Sequence, residues 1–392
     1  MKSATPAAST RFAAPSKGVA HDPEFLMRSF PTLSAVATAL PPHTIPQSSA
    51  KAFAETLFGP ALAADDRRLL AVFDSAGIEH RHSCMPLEWF GRAHDFGEAN
   101  ALYVEHALAL SATAARRALE RARITPAEVD HVVFVSSTGI STPSLDARLA
   151  NLLPLRGDVR RTPIWGLGCA GGAAGLAHAR DFALGDPTAR VLLIAIELCS
   201  LTFQHGDLTR QNLVAASLFG DGAAAAVVTG ARAAQGTPGM DSGNGTRLAL
   251  IDSRSRLWPE TLDVMGWNVD RHGLHVVFSR DIPTIVREWV RPNLEEFLAA
   301  HGLGLATLDH VVAHPGGPKV LAAYAQALGL APEAFRHAHE VLRECGNMSS
   351  PTCLFVLERF LASADLRPGD SAVLAALGPG FSSELVLMRG VS

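Results

Sequence analysis

The sequence predicts an α/β protein assembled from two similar halves, and three observations carry that prediction. Two stretches read alike, TPAEVDHVV over 125–133 and GLATLDHVV over 304–312. A Gly-Cys step at Gly168 and Cys169 opens one helix-like segment, and a Gly-Asn step at Gly346 and Asn347 opens another. Each is followed by an apolar, strand-like run, RVLLIAI from Arg190 and SAVLAAL from Ser371. The three pairs keep their order at a nearly constant spacing of about 180 residues, the mark of an internal repeat whose copies alternate strands with helices.

Residues 1–20 are rich in Ala, Ser, Thr and Pro, carry no acidic residue and lack the apolar core of a secretory signal, so a disordered tail is expected there. Residues 21–240 then form the first half and 241–392 the second, shorter one. The first half is read as a helix over 98–121, a strand over 131–136, a small-residue helix over 170–183 and a strand over 190–196. The second is read as a helix over 283–300, a strand over 310–313, helices over 319–328 and 351–361, and strands over 371–377 and 384–388. Pro283 and Pro351 fall in a first helical turn, where a missing N–H is tolerated. The strands are nearly continuous in Val, Leu and Ile, which indicates sheets covered on both faces. The duplication puts Cys169 and Asn347 at equivalent positions, each at a helix start near the pseudo-symmetry axis.

Hydrophobic residues make up 48% of the chain and charged residues 18%, enough apolar surface for sizeable cores without disulfides or metals. The net charge of -4 comes without a long run of either sign, which argues against a nucleic-acid footprint or a polybasic membrane anchor. Apolar runs such as 191–196 fall far short of the ~20 residues a bilayer requires, and Glu197 interrupts that one, so no transmembrane helix is predicted. The cysteines, at 84, 169, 199, 345 and 353, are odd in number and show neither CxxC pairs nor zinc spacing. That pattern favours a reducing compartment, the cytoplasm, and no metal.

Cys169 lies in WGLGCAGGAAGL, a glycine-rich turn entering a helix, where backbone N–H groups and the helix dipole are expected to stabilise a thiolate. Taken alone, it is equally a small buried hydrophobe. The turn is not a nucleotide loop, because neither GxxxxGK[ST] nor GxGxxG is present. His314 stands where the strand 310–313 meets the turn HPGGPK, a strand end of the sort that presents side chains to a crevice. One histidine among 16 is by itself more often a surface or core residue, and Asn347 alone is more often a helix cap than a catalyst.

Five separated motifs stand in order: GCAGG, LFGDGAAA over 218–225, HPGGPKV over 314–320, GNMSSP over 346–351 and LGPGF over 377–381. Together with ELCSLTFQ and MGWNVD they resemble the type III polyketide synthases, the chalcone and stilbene synthase family of the thiolase superfamily, from about residue 25 to the C-terminus. The resemblance implies the five-layered αβαβα thiolase-like fold, a homodimer, and a catalytic set of Cys169, His314 and Asn347. It implies that Cys169 takes the starter from an acyl-CoA thioester, while His314 and Asn347 stabilise the enolate left when malonyl-CoA loses CO2. Phe219 would pack beside the reacting malonyl group, with Thr138, Cys199, Thr202, Val276 and Ser349 also at the substrate. Lys319 and Arg68 would contact the phosphates of coenzyme A, and no metal or tightly bound cofactor is needed.

The chain departs from the plant chalcone synthase pattern at several of these positions. Val276 replaces a second gatekeeper phenylalanine, Cys199 a pocket threonine, and Thr142 a methionine that crosses the dimer interface, while Pro143 is kept. The ELCSLTF and MGWNVD wording resembles bacterial members that make alkylresorcinols or alkylpyrones, so a medium or long fatty acyl starter is expected. The alternatives are a ketoacyl-ACP synthase III-like enzyme, disfavoured by HPGGPK and GNMSSP; a synthase using short or aromatic starters; a cysteine hydrolase; and a silent acyl-CoA-binding protein.

Overall fold

The computed structural model describes residues 29–60, 66–236, 246–279 and 281–391. The tail expected over 1–20 and the boundary at 240/241 lie outside the described residues. The first half runs β1 (Thr32–Ala39), β2 (His43–Pro46), α1 (Gln47–Phe58), β3 (His80–Ser83), α2 (Phe96–Ala122), β4 (His131–Val135), α3 (Leu145–Leu152), β5 (Arg160–Ile164), α4 (Gly171–Gly185), β6 (Arg190–Leu198), α5 (Arg210–Leu218) and β7 (Asp221–Thr229). The second runs β8 (Arg247–Leu257), β9 (Met265–Asp270), β10 (Gly273–Phe278), α6 (Ile282–Ala299), β11 (His310–Ala313), α7 (Pro318–Leu328), α8 (Arg336–Cys345), α9 (Thr352–Ala362), β12 (Ser371–Gly378) and β13 (Ser382–Val391).

Nine strands share one hydrogen-bonded sheet, ordered β11-β12-β13-β8-β1-β7-β6-β4-β5. Read outward from the β8–β1 junction, the halves repeat each other. β7 pairs antiparallel with β1 as β13 does with β8, β6 antiparallel with β7 as β12 with β13, and β4 parallel with β6 as β11 with β12. Only β5 has no counterpart. The junction itself is slight, with Thr32 opposite Ala249 and Leu33 opposite Leu248.

The layering follows from which faces are apolar. Ala107, Ala114 and Ala118 of α2, with Leu149 of α3, cover one face of the first half-sheet against Phe134, Ile194 and Val227. Between the half-sheets lie α4 and α9, which touch strands of both: α4 meets β4 and β6 as well as β12 and β13, and α9 meets β1 and β7 as well as β11 and β12. On the far side Val290, Leu294 and Phe297 of α6 and Leu321 of α7 join the core, and Asn293 donates to Ser383 of β13 at 3.2 Å. The result is the five-layered αβαβα thiolase-like fold.

Small residues bring the two central helices together. A Cβ at Gly172 would stand 2.2 Å from the Ser350 carbonyl oxygen and 2.6 Å from Cys353 Sγ, so α4 and α9 approach at their N-terminal ends only because none is there. This contact also corrects the expected pairing of Cys169 with Asn347. Gly168 and Ser349, one residue earlier in each copy, both have left-handed backbone, φ 46° and 59°. Cys169 therefore corresponds to Ser350, each two residues ahead of its helix, while Asn347 stands further back in an extended bridge with Phe219.

Candidate active site

Cys169 occupies a single 3-10 turn, Gly168–Ala170, that runs directly into α4. His314 follows the last residue of β11 and is fixed by its backbone N–H to the Ala375 oxygen at 2.8 Å. Asn347 enters from the loop between α8 and α9, its Oδ1 accepting from Ser349 N–H at 2.8 Å and its Nδ2 donating to the Gly316 oxygen at 3.3 Å. The three side chains line one cavity of about 20 Å³, walled by Met265, Phe278 and Leu377. That is room for one or two water-sized groups.

The electrostatics differ from the sequence expectation. Cys169 is 5% exposed, and burial pushes its thiol up to about 11; hydrogen bonds from Ser349 and Asn347 pull it down, and the Glu197 charge pushes it up again. The backbone N–H at the helix start does pull this thiol down, but desolvation of the thiolate outweighs it. Burial likewise pushes His314 down to about 3, and neither ring nitrogen has a hydrogen-bond partner. A buried imidazole with both nitrogens free is costly in a stable core, and marks a place where a ligand oxygen completes the bonding.

Beyond this cavity lies a second of about 90 Å³, lined by Phe53, Phe58, Phe90, Phe203 and Phe219 and by Val276 and Cys199. The Phe219 and Phe278 rings stand 5.9 Å apart at 50°, Phe219 lining the larger cavity and Phe278 the smaller. The second ring at this divide thus comes from Phe278, two positions beyond Val276 on β10, where residues of like parity share a face. Several polar side chains around the larger cavity are bonded within the protein, while Arg81, which also lines it, leaves Nε without a partner. Ser200 Oγ donates to Asp221 at 2.6 Å, Thr202 Oγ1 to the Cys199 oxygen at 2.8 Å, and Asn212 Nδ2 to the Gln204 and Asp207 oxygens at 2.9 and 2.7 Å.

Thr138 faces neither cavity. Its hydroxyl donates to Glu197 at 2.8 Å and accepts from Leu198 N–H at 3.0 Å. Glu197 is the residue the sequence reading missed. Fully buried, its carboxylate also accepts from Ser137 N–H at 2.9 Å and Ser350 Oγ at 2.8 Å, and burial raises it to about 7. The available signal was an acidic residue closing the apolar run RVLLIAIEL. Lys319 is exposed in the first turn of α7, beside Val320 and Gly316 of the catalytic cavity. Arg68 falls on the 3-10 helix Asp66–Val72, and its side chain lies outside the described residues. Among the described residues no group of three or more His, Cys, Asp or Glu could hold a metal ion, and no helix is long and apolar enough to cross a membrane.

Two duplicated α/β halves that bring a thiol, an unpaired imidazole and a carboxamide to one buried cavity define a condensing acyltransferase of the thiolase fold. The family models for chalcone and stilbene synthases match almost the whole chain, the N-terminal domain over 26–232 and the C-terminal domain over 249–392. A protein of Bacillus subtilis (strain 168) that carries the name chalcone synthase is 43% identical over 359 residues, 90% of this chain and 96% of that one. The 1,3,6,8-tetrahydroxynaphthalene synthase of Streptomyces peucetius subsp. caesius is 42% identical over 91% of this chain and 93% of its own. The crystal structure of 1,3,6,8-tetrahydroxynaphthalene synthase from Streptomyces coelicolor A3(2), a bacterial type III polyketide synthase, superposes with a TM-score of 0.85 at 30% identity, covering 92% of this chain and 99% of that one. The chain belongs to the chalcone and stilbene synthase family and is a type III polyketide synthase.

Proposed function

We propose that this synthase condenses malonyl-CoA repeatedly onto a medium or long fatty acyl-CoA starter and cyclises the product to an alkylpyrone or alkylresorcinol. The observation that supports the starter is the larger cavity, whose wall carries five phenylalanines and whose Ser200, Thr202 and Asn212 side chains already have partners. Such a wall gains about 0.8 kcal/mol per buried methylene and offers little to hold a polar chain. A second reading, in which malonyl-CoA also primes the chain and the product is aromatic, is favoured by the names of the Streptomyces relatives.

In this mechanism Cys169 and His314 rest as a neutral thiol and a neutral imidazole. The Sγ proton passes to His314 as Sγ attacks the starter carbonyl, and the departing coenzyme A thiolate takes that proton. In malonyl-CoA the bond to the carboxylate then breaks, CO2 leaves, and the electron pair forms an enolate whose oxygen accepts from His314 and Asn347. The enolate carbon attacks the acyl-cysteine carbonyl and the C–S bond breaks, freeing Cys169. Phe219 beside the malonyl carboxylate favours neutral CO2 over the anion. Lys319 and Arg68 are assigned to the phosphates of coenzyme A, and Ser349, through the Cys169 sulfur, to the acyl-enzyme.

We assign the enzyme to the cytoplasm, where its five buried free cysteines would stay reduced, and to a homodimer. The homodimer is supported by β5, an unpaired sheet edge, and by the half-exposed Trp165, Ile140 and Leu152 of the first half. The starter assignment is tested by incubating the protein with malonyl-CoA and acyl-CoA starters from acetyl to palmitoyl, plus aromatic ones, and identifying products by mass spectrometry. Alkyl products from fatty starters are expected; tetrahydroxynaphthalene from malonyl-CoA alone, unaffected by added starters, would establish the second reading.

A further inference from the structure

Arg81 points inward from β3, between the exit of α5 and the loop that carries Asn347. It is 7% exposed, and its Nη1 donates to the Ala216 oxygen at 2.5 Å and the Phe219 oxygen at 2.9 Å. These carbonyls lie at the C-terminal end of α5, where a helix leaves acceptors without N–H partners and where a cation is favoured. The same exit is tied to Asn347. Asn347 N–H donates to the Leu218 oxygen at 2.9 Å, and Gly220 N–H donates to the Asn347 oxygen at 3.0 Å.

The stem of Arg81 supports the other side of this bridge. A Cβ at Gly346, whose φ is 69°, would come within 2.9 Å of both Arg81 Cγ and the Leu218 oxygen, so the residue before Asn347 rests directly on the arginine. Asp221, also buried, supplies the opposing charge while accepting from Cys84 N–H and Ser200 N–H, both at 2.8 Å. Arg81 lines the larger cavity but is not among the residues of the catalytic one. One guanidinium side chain thus holds the segment bearing the Phe219 ring and the segment bearing the Asn347 carboxamide.

We propose that Arg81 is a positioning residue for malonyl decarboxylation, fixing Phe219 and Asn347 at one spacing on either side of the reacting group. The proposal rests on the roles given above to those two residues. Transfer of the starter to Cys169 does not depend on that spacing, so the two half-reactions respond differently to loss of the clamp.

The test uses the full chain as Arg81→Met, Arg81→Lys and Asn347→Ala. Acyl loading of Cys169 is read by intact-protein mass spectrometry, and release of labelled CO2 from malonyl-CoA is read separately. Arg81→Met is expected to lose about 100-fold in CO2 release, the scale of a small misplacement of catalytic groups, with loading from acetyl-CoA, whose acyl group is too short to fill the larger cavity, within about twofold of wild type. Arg81→Lys should recover part of the release at neutral pH and lose it again on the alkaline side before the wild type does, because a buried ammonium gives up its proton more readily than a guanidinium. A parallel fall of loading and CO2 release in both Arg81 variants would reduce Arg81 to a structural residue and overturn the proposal. Unchanged CO2 release in Arg81→Met beside a large loss in Asn347→Ala would overturn it while leaving the role of Asn347 standing. Unchanged release in Asn347→Ala would remove the role of Asn347 and this proposal with it.

Discussion

The cavities on either side of the Phe219–Phe278 pair differ in the polar groups they leave without partners. Around the larger one, the Ser200, Thr202 and Asn212 side chains each have a partner inside the protein, and Arg81 is bonded through Nη1 but not Nε. In the smaller one the His314 ring has none. An unpaired buried donor or acceptor costs about 1–3 kcal/mol, and at His314 both ring nitrogens are without a partner beside the Cys169 thiol. In the function proposed above, the larger cavity accommodates a chain by volume, and the smaller one acts on a carbonyl by its polar groups.

The comparison breaks most completely at Cys169. Cys169→Ala is expected to abolish acyl-enzyme formation and product, since the other described thiols, at 84, 199, 345 and 353, are buried and outside the catalytic cavity. Normal covalent loading of that variant in an intact mass measurement would move the nucleophile elsewhere. Removing one donor from the small cavity comes next. Asn347→Ala or a change at His314 should cut CO2 release from malonyl-CoA by roughly 100 to 1000-fold, the usual loss for one oxyanion donor.

A pH series sharpens the contrast without mutation. With the Cys169 thiol at about 11 and His314 at about 3, the resting site holds no ion pair, so the thiolate fraction grows as pH rises towards 11. Alkylation of Cys169 by iodoacetamide, followed by peptide mass spectrometry, should accelerate about tenfold per unit between pH 7 and 10. A rate already flat at pH 7 would instead reveal a thiolate–imidazolium pair. The smallest effect belongs to the larger cavity. Val276→Phe and Cys199→Phe should cost about fourfold in kcat/KM for each starter methylene they exclude, leaving CO2 release from malonyl-CoA nearly unchanged. Identical chain-length profiles in both variants would detach these positions from the starter.

How much of this was legible in the sequence depended on side-chain shape. β4, β6, β11 and β12 announce themselves as HVVFV, RVLLIAIEL, HVVA and SAVLAALG. β1 and β7, at TLSAVATA and DGAAAAVVT, were not anticipated, because alanine carries little strand preference. Their residues are small because helices pack on both faces of these strands, a tertiary demand that local pattern does not encode. Cys169, His314 and Asn347 were visible as motifs, and the structure brings all three to one cavity. The ring of Phe278 was not, since it stands at the next same-face position on β10 beyond Val276, the position at which the family resemblance places a second phenylalanine. Nor was the Glu197 network, whose partners Ser137 and Ser350 come from both halves of the chain.

The hairpin that carries Val276 and Phe278 sets one side of the site apart from the other. β9 and β10 form a sheet of their own, apart from the nine-stranded one, while Cys169 stands against the fully enclosed central helices. A two-stranded ribbon has little stability of its own, whereas the core around α4 opens only with the whole molecule. The two sides of the site are thus built differently, one from helices enclosed by both half-sheets and the other from two strands that pair with each other rather than with the main sheet.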